Sequence, residues 1–249
     1  MKAKRLNPND PHGYFPYCYK FIDTPNLKGL VLDLYWGNLE AFRQLRDSKE
    51  LGRIQAVNCT ICCLKAVQIL HDKIGIVHRD VKPHNILVGS KRGFDMGHLE
   101  NLKVKDIPIR AVVTDFGLIR KFTSKGQRIP ARAHVSFCGT INFAPLSALR
   151  SMECSDSDDY FSVLLSIMNC SLKNGLPWIN QRDIAKHILM RETLDYTSMA
   201  NDHGKDVREV YQKIYDYLKN LSYEDQSDFE MILDNFYRLR LAIKSVNKR

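Results

Sequence analysis

Polar and apolar residues follow three regimes along the chain. Residues 1–16 are rich in Asn, Pro, Gly and His and predict an irregular lead-in. Two short apolar-rich runs follow, Tyr17–Ile22 and Leu30–Tyr35, and both predict strands. The link D-T-P-N-L-K between them is turn chemistry, so a hairpin is expected. Trp36-Gly37 breaks the pattern, and Asn38 is placed to cap a short helix from Leu39 to Arg46. Gly52–Ile74 predicts the longest helix, with Ile54, Val57, Ile61, Leu64 and Gln68–Ile69 on one stripe. Ile86–Val88 and Arg110–Thr114 predict a second strand pair, joined by the long link Gly89–Ile109. From Asp159 onward the pattern is helical. Asp159–Cys170 is apolar enough to be buried, and G-L-P-W at Gly175–Trp178 ends the connection after it. Helices at about Gln181–Met190, Val207–Leu221 and Gln226–Leu239 complete the chain, the last marked by Phe229, Ile232, Leu233 and Phe236.

Composition changes this picture little. Over 249 residues, 44% hydrophobic and 26% charged content are those of an ordinary globular protein with room for a sizeable core. The net charge of +9 admits acidic partners, but the basic residues are scattered and no zinc-finger or RNA-binding signature accompanies them, so nucleic acid is not expected. The start M-K-A-K-R-L-N-P-N-D has no apolar run after it, which argues against a secretory signal. No segment is expected to approach the roughly 20 apolar residues of a membrane helix. An intracellular location, cytoplasmic and/or nuclear, follows as an expectation. The seven cysteines are odd in number and lie in apolar stretches, as reduced thiols do. Cys59, Cys62 and Cys63 invite a metal reading, but no second pair with zinc spacing follows, and core packing is expected instead.

Candidate chemistry concentrates in Ile76–Val88, I-V-H-R-D-V-K-P-H-N-I-L-V. Two apolar runs enclose a polar core and hold a carboxylate, an amine and an amide on one tight loop. Asp80 can accept a proton or orient a hydroxyl, Lys82 can neutralise a phosphate, and Asn85 can offer its side-chain oxygen to a hard cation such as Mg²⁺. Further along, Asp115-Phe116-Gly117 follows the β-run V-V-T. A strand-end carboxylate followed by Gly suits metal chelation. D-F-G alone is a weak signal, but its order after H-R-D-V-K-P-H-N makes it specific.

The loop resembles the catalytic loop of protein kinases, H-R-D-x-K-x-x-N, and the second motif resembles their metal-binding D-F-G. Gly139-Thr140 followed by Ala144-Pro145 resembles the end of an activation segment, with Leu146 where the family has Glu. The K-P-H-N form favours a serine/threonine acceptor. The stretches S-D-S-D-D-Y-F-S-V-L, G-L-P-W and N-L-S-Y-E-D-Q-S-D-F-E-M-I look like the casein kinase I group, and R-I-P-A-R-A-H-V-S-F-C-G-T is closest to its tau-tubulin kinase branch, which has Arg where this chain has Cys138. The resemblance runs from about Tyr17 to Leu239. It implies an α+β kinase-like fold, with a lead-in, residual hairpin and hinge over 1–37 and a helical C-terminal lobe over 38–245. It implies ATP and Mg²⁺ as cofactors and protein substrates. Asp80, Lys82, Asn85 and Thr140 would be catalytic. Leu32, Asp33, Tyr35, Leu87 and Asp115 would meet ATP, and Asn85 and Asp115 the metal. His78, Arg79, Phe116, Gly117 and Asp159 would support them, Asp159 by accepting backbone hydrogen bonds from the loop.

Arg120, Lys121, Lys125, Arg128 and Arg132 crowd the activation segment and suggest acidic or phosphate-primed substrates; a solvated basic loop is the plainer alternative. Thr123, Ser124 and Ser136 are candidate phosphorylation sites that could pair with Arg79. The hairpin matches only the last two strands of a kinase N-terminal lobe. Gly13 is the only glycine before Gly29, no Glu occurs before Glu40, and Lys20 is expected to be an ordinary strand residue rather than the phosphate lysine. Two readings follow: a kinase sequence lacking its upper lobe by truncation or an incomplete gene model, or a kinase-derived pseudoenzyme acting as a protein-binding module.

Overall fold

The computed structural model describes residues 13–46, 48–89, 110–199 and 203–246. The expected lead-in before Gly13 and the link beyond Gly89 fall outside the described residues. Strands β1 (Cys18–Thr24) and β2 (Leu27–Leu32) form the antiparallel hairpin. Its turn is only Pro25-Asn26, with the Leu27 N–H donating to Thr24 Oγ1 at 3.0 Å, so the second strand begins and ends earlier than Leu30–Tyr35. Trp36-Gly37 does not simply break the pattern. Strand β3 (Gly37–Asn38) pairs with Val88 and Leu87, and Asn38 then caps helix α1 (Leu39–Gln44) through Ala41 N–H at 2.9 Å.

Helix α2 (Arg53–Ile69) continues into a π-helical turn, Leu70–Ile74, closed by Gly75. The single apolar stripe expected there is too narrow a description, because Gln55, Ala56, Val57, Cys59, Thr60 and Ile61 are all buried. Arg53–Ile74 also proves long and apolar enough to cross a bilayer by length and composition, contrary to expectation. It is 67% buried, packed on the other core elements, and is the central helix of this core. After β4 (Ile76–Val77) and a 3₁₀ turn at Pro83–Asn85, β5 (Ile86–Gly89) lies between β3 and β6 (Arg110–Val113). Strand β4 pairs with β7 (Arg120–Lys121), and β8 (Thr123–Ser124) with β9 (Gln127–Arg128).

Helix α3 (Leu146–Leu149) leads to α4 (Asp156–Cys170), which starts earlier than Asp159. Ser155 is the N-cap, and its N–H donates to Asp158 at 2.7 Å; Asp159 therefore sits inside the first turn rather than capping it. Almost every α4 side chain is buried, because α2, α6 (Lys205–Lys219) and neighbouring elements surround it. Helices α5 (Ile184–Glu192) and α7 (Phe229–Val246) complete the helical body, α7 running well past Leu239. Trp178 is fully buried, donating Nε1–H to Asn142 O at 3.0 Å beneath the Arg191 guanidinium. Cys59 and Cys63 are fully buried, and desolvation pushes both thiols well above their ordinary range, as expected of packing residues.

Gly75 ends the π turn at φ +74°, and a Cβ there would lie 2.3 Å from Thr123 Oγ1. Gly75→Ala is expected to lower stability by about 1–3 kcal/mol. A urea titration should show a lower midpoint at unchanged slope; an unchanged midpoint would contradict this account of the turn.

Candidate functional site

The 78–85 loop is held in place by one buried carboxylate. Asp159 Oδ2 accepts the His78 N–H at 2.7 Å, and Oδ1 accepts the Arg79 N–H at 2.9 Å. The His71 imidazole, placed by the π turn, donates Nε2–H to Oδ2 at 2.8 Å and packs edge-on against Tyr160 and Phe122. Burial alone would raise the Asp159 carboxyl. The His71 hydrogen bond and the backbone donor at His78 outweigh it and hold the group below the usual carboxylate range. Arg79 adopts φ +68°, a left-handed conformation that persists only where its surroundings over-determine it. Gly139 closes over this bend at φ +100°, where a Cβ would sit 2.6 Å from Arg79 O.

His78 is fully buried beneath the loop. Its Nδ1 faces the Asp80 N–H at 3.3 Å and so accepts, which leaves Nε2–H to donate to Thr114 O at 3.1 Å. One ring thus ties the loop to the end of β6. Asp80 is 8% exposed. Its Oδ2 accepts from Lys82 Nζ at 2.7 Å and Asn85 Nδ2 at 3.2 Å, and its Oδ1 from Thr140 Oγ1 at 2.8 Å. Lys82 also donates to Thr140 Oγ1 at 2.9 Å, so Asp80, Lys82 and Thr140 form a closed ring of hydrogen bonds. Asn85 spends its Nδ2 on Asp80, at the backbone O (2.9 Å) as well as the carboxylate. Its Oδ1 takes no hydrogen bond among the described residues.

Asp115 follows β6 at φ +66°, exposed, with the Gly117 N–H reaching its Oδ1 at 3.3 Å. Phe116 packs edge-on against His78. The donor set of Asn85 Oδ1 and the Asp115 carboxylate is all hard oxygen and fits a Mg²⁺ ion. Leu87 projects half-buried from β5, between Asn38 and Val112 in register. Leu32 ends β2, 37% exposed. Asp33 donates its N–H to Tyr17 O at 3.0 Å and accepts the Tyr19 hydroxyl at 2.7 Å. The Tyr35 ring lies against Gly89, where a Cβ would come within 2.9 Å of it.

Several residues absent from the sequence reading complete the site. His71 is one, and nothing in its local sequence marks it. Glu153, 5% exposed, is another. It accepts from Arg132 Nε at 2.6 Å and pairs with Arg120 at 3.3 Å. Burial would raise its carboxyl, but the Arg132 hydrogen bond and both guanidinium charges hold it low. Arg128 is similarly committed, to Asp156 at 3.0 Å and Tyr223 O at 2.7 Å. Three of the five basic residues expected to face substrate are thus paired internally, while Lys121 and Lys125 are exposed. Leu146 is buried where the resemblance expects a Glu. Nearby, the buried Arg191 donates to Ile141 O at 2.6 Å, and burial lowers its guanidinium to about 10.

A helical body carrying this loop beside a strand-end carboxylate has the layout of the larger lobe of a phosphoryl-transfer fold. The chain belongs to the protein kinase domain family, whose family model matches residues 12–236. Curated relatives agree. A Dictyostelium discoideum protein named as a serine/threonine-protein kinase is 25% identical over 221 residues, which cover 86% of this chain and 40% of the relative. A Caenorhabditis elegans protein named as a casein kinase I is 28% identical over 195 residues, 78% of this chain and 52% of the relative. A second C. elegans protein, named as a serine/threonine-protein kinase, is 24% identical over 236 residues, 93% of this chain and 65% of the relative. This chain therefore spans between 40% and 65% of the length of these relatives.

Asp159→Asn is expected to cost about 2–3 kcal/mol at neutral pH, the scale of hydrogen bonds to a buried charge. Because folding depresses this carboxyl, its contribution is full above the unfolded value and fades as pH falls through the lower folded value. The gap between wild type and variant in urea melts should be constant above about pH 4 and close below it. A gap that stayed constant under acid would show that the Asp159 charge is not what matters.

Proposed function

We propose that this chain is a serine/threonine protein kinase of the casein kinase I type, transferring the γ-phosphoryl group of ATP to protein hydroxyls. The observation that carries the reading is the Asp80–Lys82–Thr140 ring with Asn85 beneath it. Asp80 is the group that orients the acceptor hydroxyl and takes up its proton. Lys82, already held by Asp80 and Thr140, places a cation beside the transferring phosphoryl group. Thr140 sets the height of that amine and ties the loop to the substrate-side segment. Asn85 and Asp115 are the residues that would hold Mg²⁺, which when bound would neutralise charge on the ATP phosphates. Leu87, Leu32 and the backbone of Asp33 and Tyr35 would line the adenine site. The relative bearing a casein kinase I name supports the group, and R-I-P-A-R-A-H-V-S-F-C-G-T supports the tau-tubulin kinase-like branch. With Arg120, Arg128 and Arg132 committed internally, a preference for acidic or phosphate-primed substrates would rest on Lys121 and Lys125.

A second reading, a kinase-derived protein-binding module, is favoured by one observation. The hairpin carries Phe21 at 58% and Leu30 at 61% exposure, and Leu34 just after it is 96% exposed, an apolar surface suited to a protein partner.

The purified chain with Mg²⁺ and γ-labelled ATP should label an acidic serine-containing peptide, and Asp80→Ala should reduce the rate by about 10²–10⁴-fold. No labelling by the wild-type chain, with partner binding intact in Asp80→Ala and Asp115→Ala, would favour the binding module. Equal labelling by wild type and Asp80→Ala would remove Asp80 from the chemistry.

A further inference from the structure

The connection between α6 and α7 is docked on the activation segment through one guanidinium. Arg128 donates to Tyr223 O at 2.7 Å, to Asp225 O at 3.3 Å and to Asp156 Oδ1 at 3.0 Å. It also lies over the rings of Phe122 and Tyr223, 5.5 and 5.3 Å from their centroids. Tyr223 returns the contact, donating its hydroxyl to Ile129 O at 2.6 Å. One residue of β9 thus joins the activation segment, the 221–228 connection and α4. Asp156 is the shared acceptor: its Oδ1 faces Arg128, and its Oδ2 accepts the hydroxyl of Ser227. Ser227 lies in E-D-Q-S-D-F-E, beside the exposed Glu224, Asp225 and Asp228, and residues 221–228 form neither helix nor strand. An acid-flanked serine in irregular surface chain is what the basic groove of an acid-directed serine/threonine kinase attracts.

We propose that Ser227 is a phosphorylation site, and that its phosphate takes Arg128 away from Asp156. ATP supplies the γ-phosphoryl group. The bond from phosphorus to Ser227 Oγ forms, the bond to the ADP leaving group breaks, and the hydroxyl proton passes to the base of the modifying kinase. The product replaces a donor to Asp156 by a group of charge about −1.5 to −2 whose oxygens accept. Phosphate and carboxylate repel, whereas a guanidinium pairs with phosphate in bidentate geometry. Arg128 is the cation in reach, because it already bonds the same carboxylate as Ser227 and two carbonyls of the same connection. The Asp225 carboxylate does not compete for it, being engaged by the Ser222 N–H and hydroxyl, both at 2.7 Å. The activation segment is then tied at Arg128 to the 221–228 connection instead of to α4, whose first turn also fixes the catalytic loop through Asp159. Phosphorylation therefore uncouples two parts of the site that Asp156 and Asp159 join. The inference needs an acid-directed serine/threonine kinase and ATP, and it stands apart from the activity of this chain.

The test treats the full chain with Mg²⁺·ATP and an acid-directed serine/threonine kinase, maps the phosphate by mass spectrometry and titrates it by ³¹P NMR. Ser227 should be labelled, and Ser227→Ala should lose that label. The phosphate should titrate roughly one unit or more below the ordinary phosphoserine value of about 6, the scale of a close opposite charge. Arg128→Gln should return it to that value or above. Arg128→Lys, which keeps the charge, should retain part of the depression, and Asp156→Asn, which removes the like charge, should deepen it. Amide exchange in the first turn of α4 should rise about two- to fivefold on phosphorylation, the size of one partly exposed ion pair. Unmodified Ser227→Ala should not show that rise. No phosphate at Ser227, or a phosphate that titrates near 6 in both wild type and Arg128→Gln, would overturn the proposal. An equal exchange rise in unmodified Ser227→Ala would show that losing the hydroxyl suffices, and would overturn the capture of Arg128. If Arg128→Gln fails to fold, Arg128→Lys and Asp156→Asn carry the comparison.

Discussion

The site depends on a single buried carboxylate. Asp159 accepts the backbone N–H groups of His78 and Arg79 and the imidazole N–H of His71. Two of these donors belong to the loop that carries Asp80, Lys82 and Asn85. A bend with a left-handed arginine has no local reason to persist, and short loops of this kind are soft when left to their own hydrogen bonds. Anchoring it to the first turn of α4 gives it the rigidity of a helix whose side chains are almost all buried. Each donor also lowers the cost of leaving a charge in the core, so the same contacts that position the loop keep the carboxylate in its charged form.

The activation segment follows the same logic in a different place. Glu153 lies just ahead of α4 and Asp156 opens it, and they gather Arg120, Arg132 and Arg128 from three points along residues 120–132. The segment is thereby pinned to the helix that also anchors the loop. Charge that looks available for substrate in the sequence is spent on internal order. Arg79 is likewise engaged, with Leu118 O. The electrostatic surface offered to a substrate is correspondingly smaller than the net charge suggests.

The hairpin shows the opposite situation. Phe21 and Leu30 pair across the strands but face solvent, and two strands alone bury too little to be independently stable. Its link to the body runs through residues 13–15 on one side and Trp36 to Asn38 on the other.

The sequence by itself determined the inventory and order of the chemistry. H-R-D-V-K-P-H-N between two apolar runs, D-F-G after a strand and a long helix before both are local patterns, and local patterns survive folding. It also placed the hairpin, the β5–β6 pair and the longer helices to within a few residues, erring where a tight turn or a cap set the boundary: the two-residue Pro25-Asn26 turn shifted β2, and Ser155 moved the start of α4. The two-residue strands β3, β4 and β7 to β9 and the short α3 carry no periodicity and were not legible. The single stripe assigned to α2 was too narrow because most of this helix is buried, leaving only a half-buried face at Ile54, Asn58, Cys62, Lys65 and Ile69. What only the tertiary structure decided was pairing. His71 with Asp159, Glu153 with two arginines and Phe15 with Phe116 join residues far apart in the chain, and no local periodicity encodes which charge or ring will meet which. Those choices depend on the path of the backbone, and the π turn after α2 and the left-handed bends at Arg79 and Asp115 set that path where the chemistry is assembled.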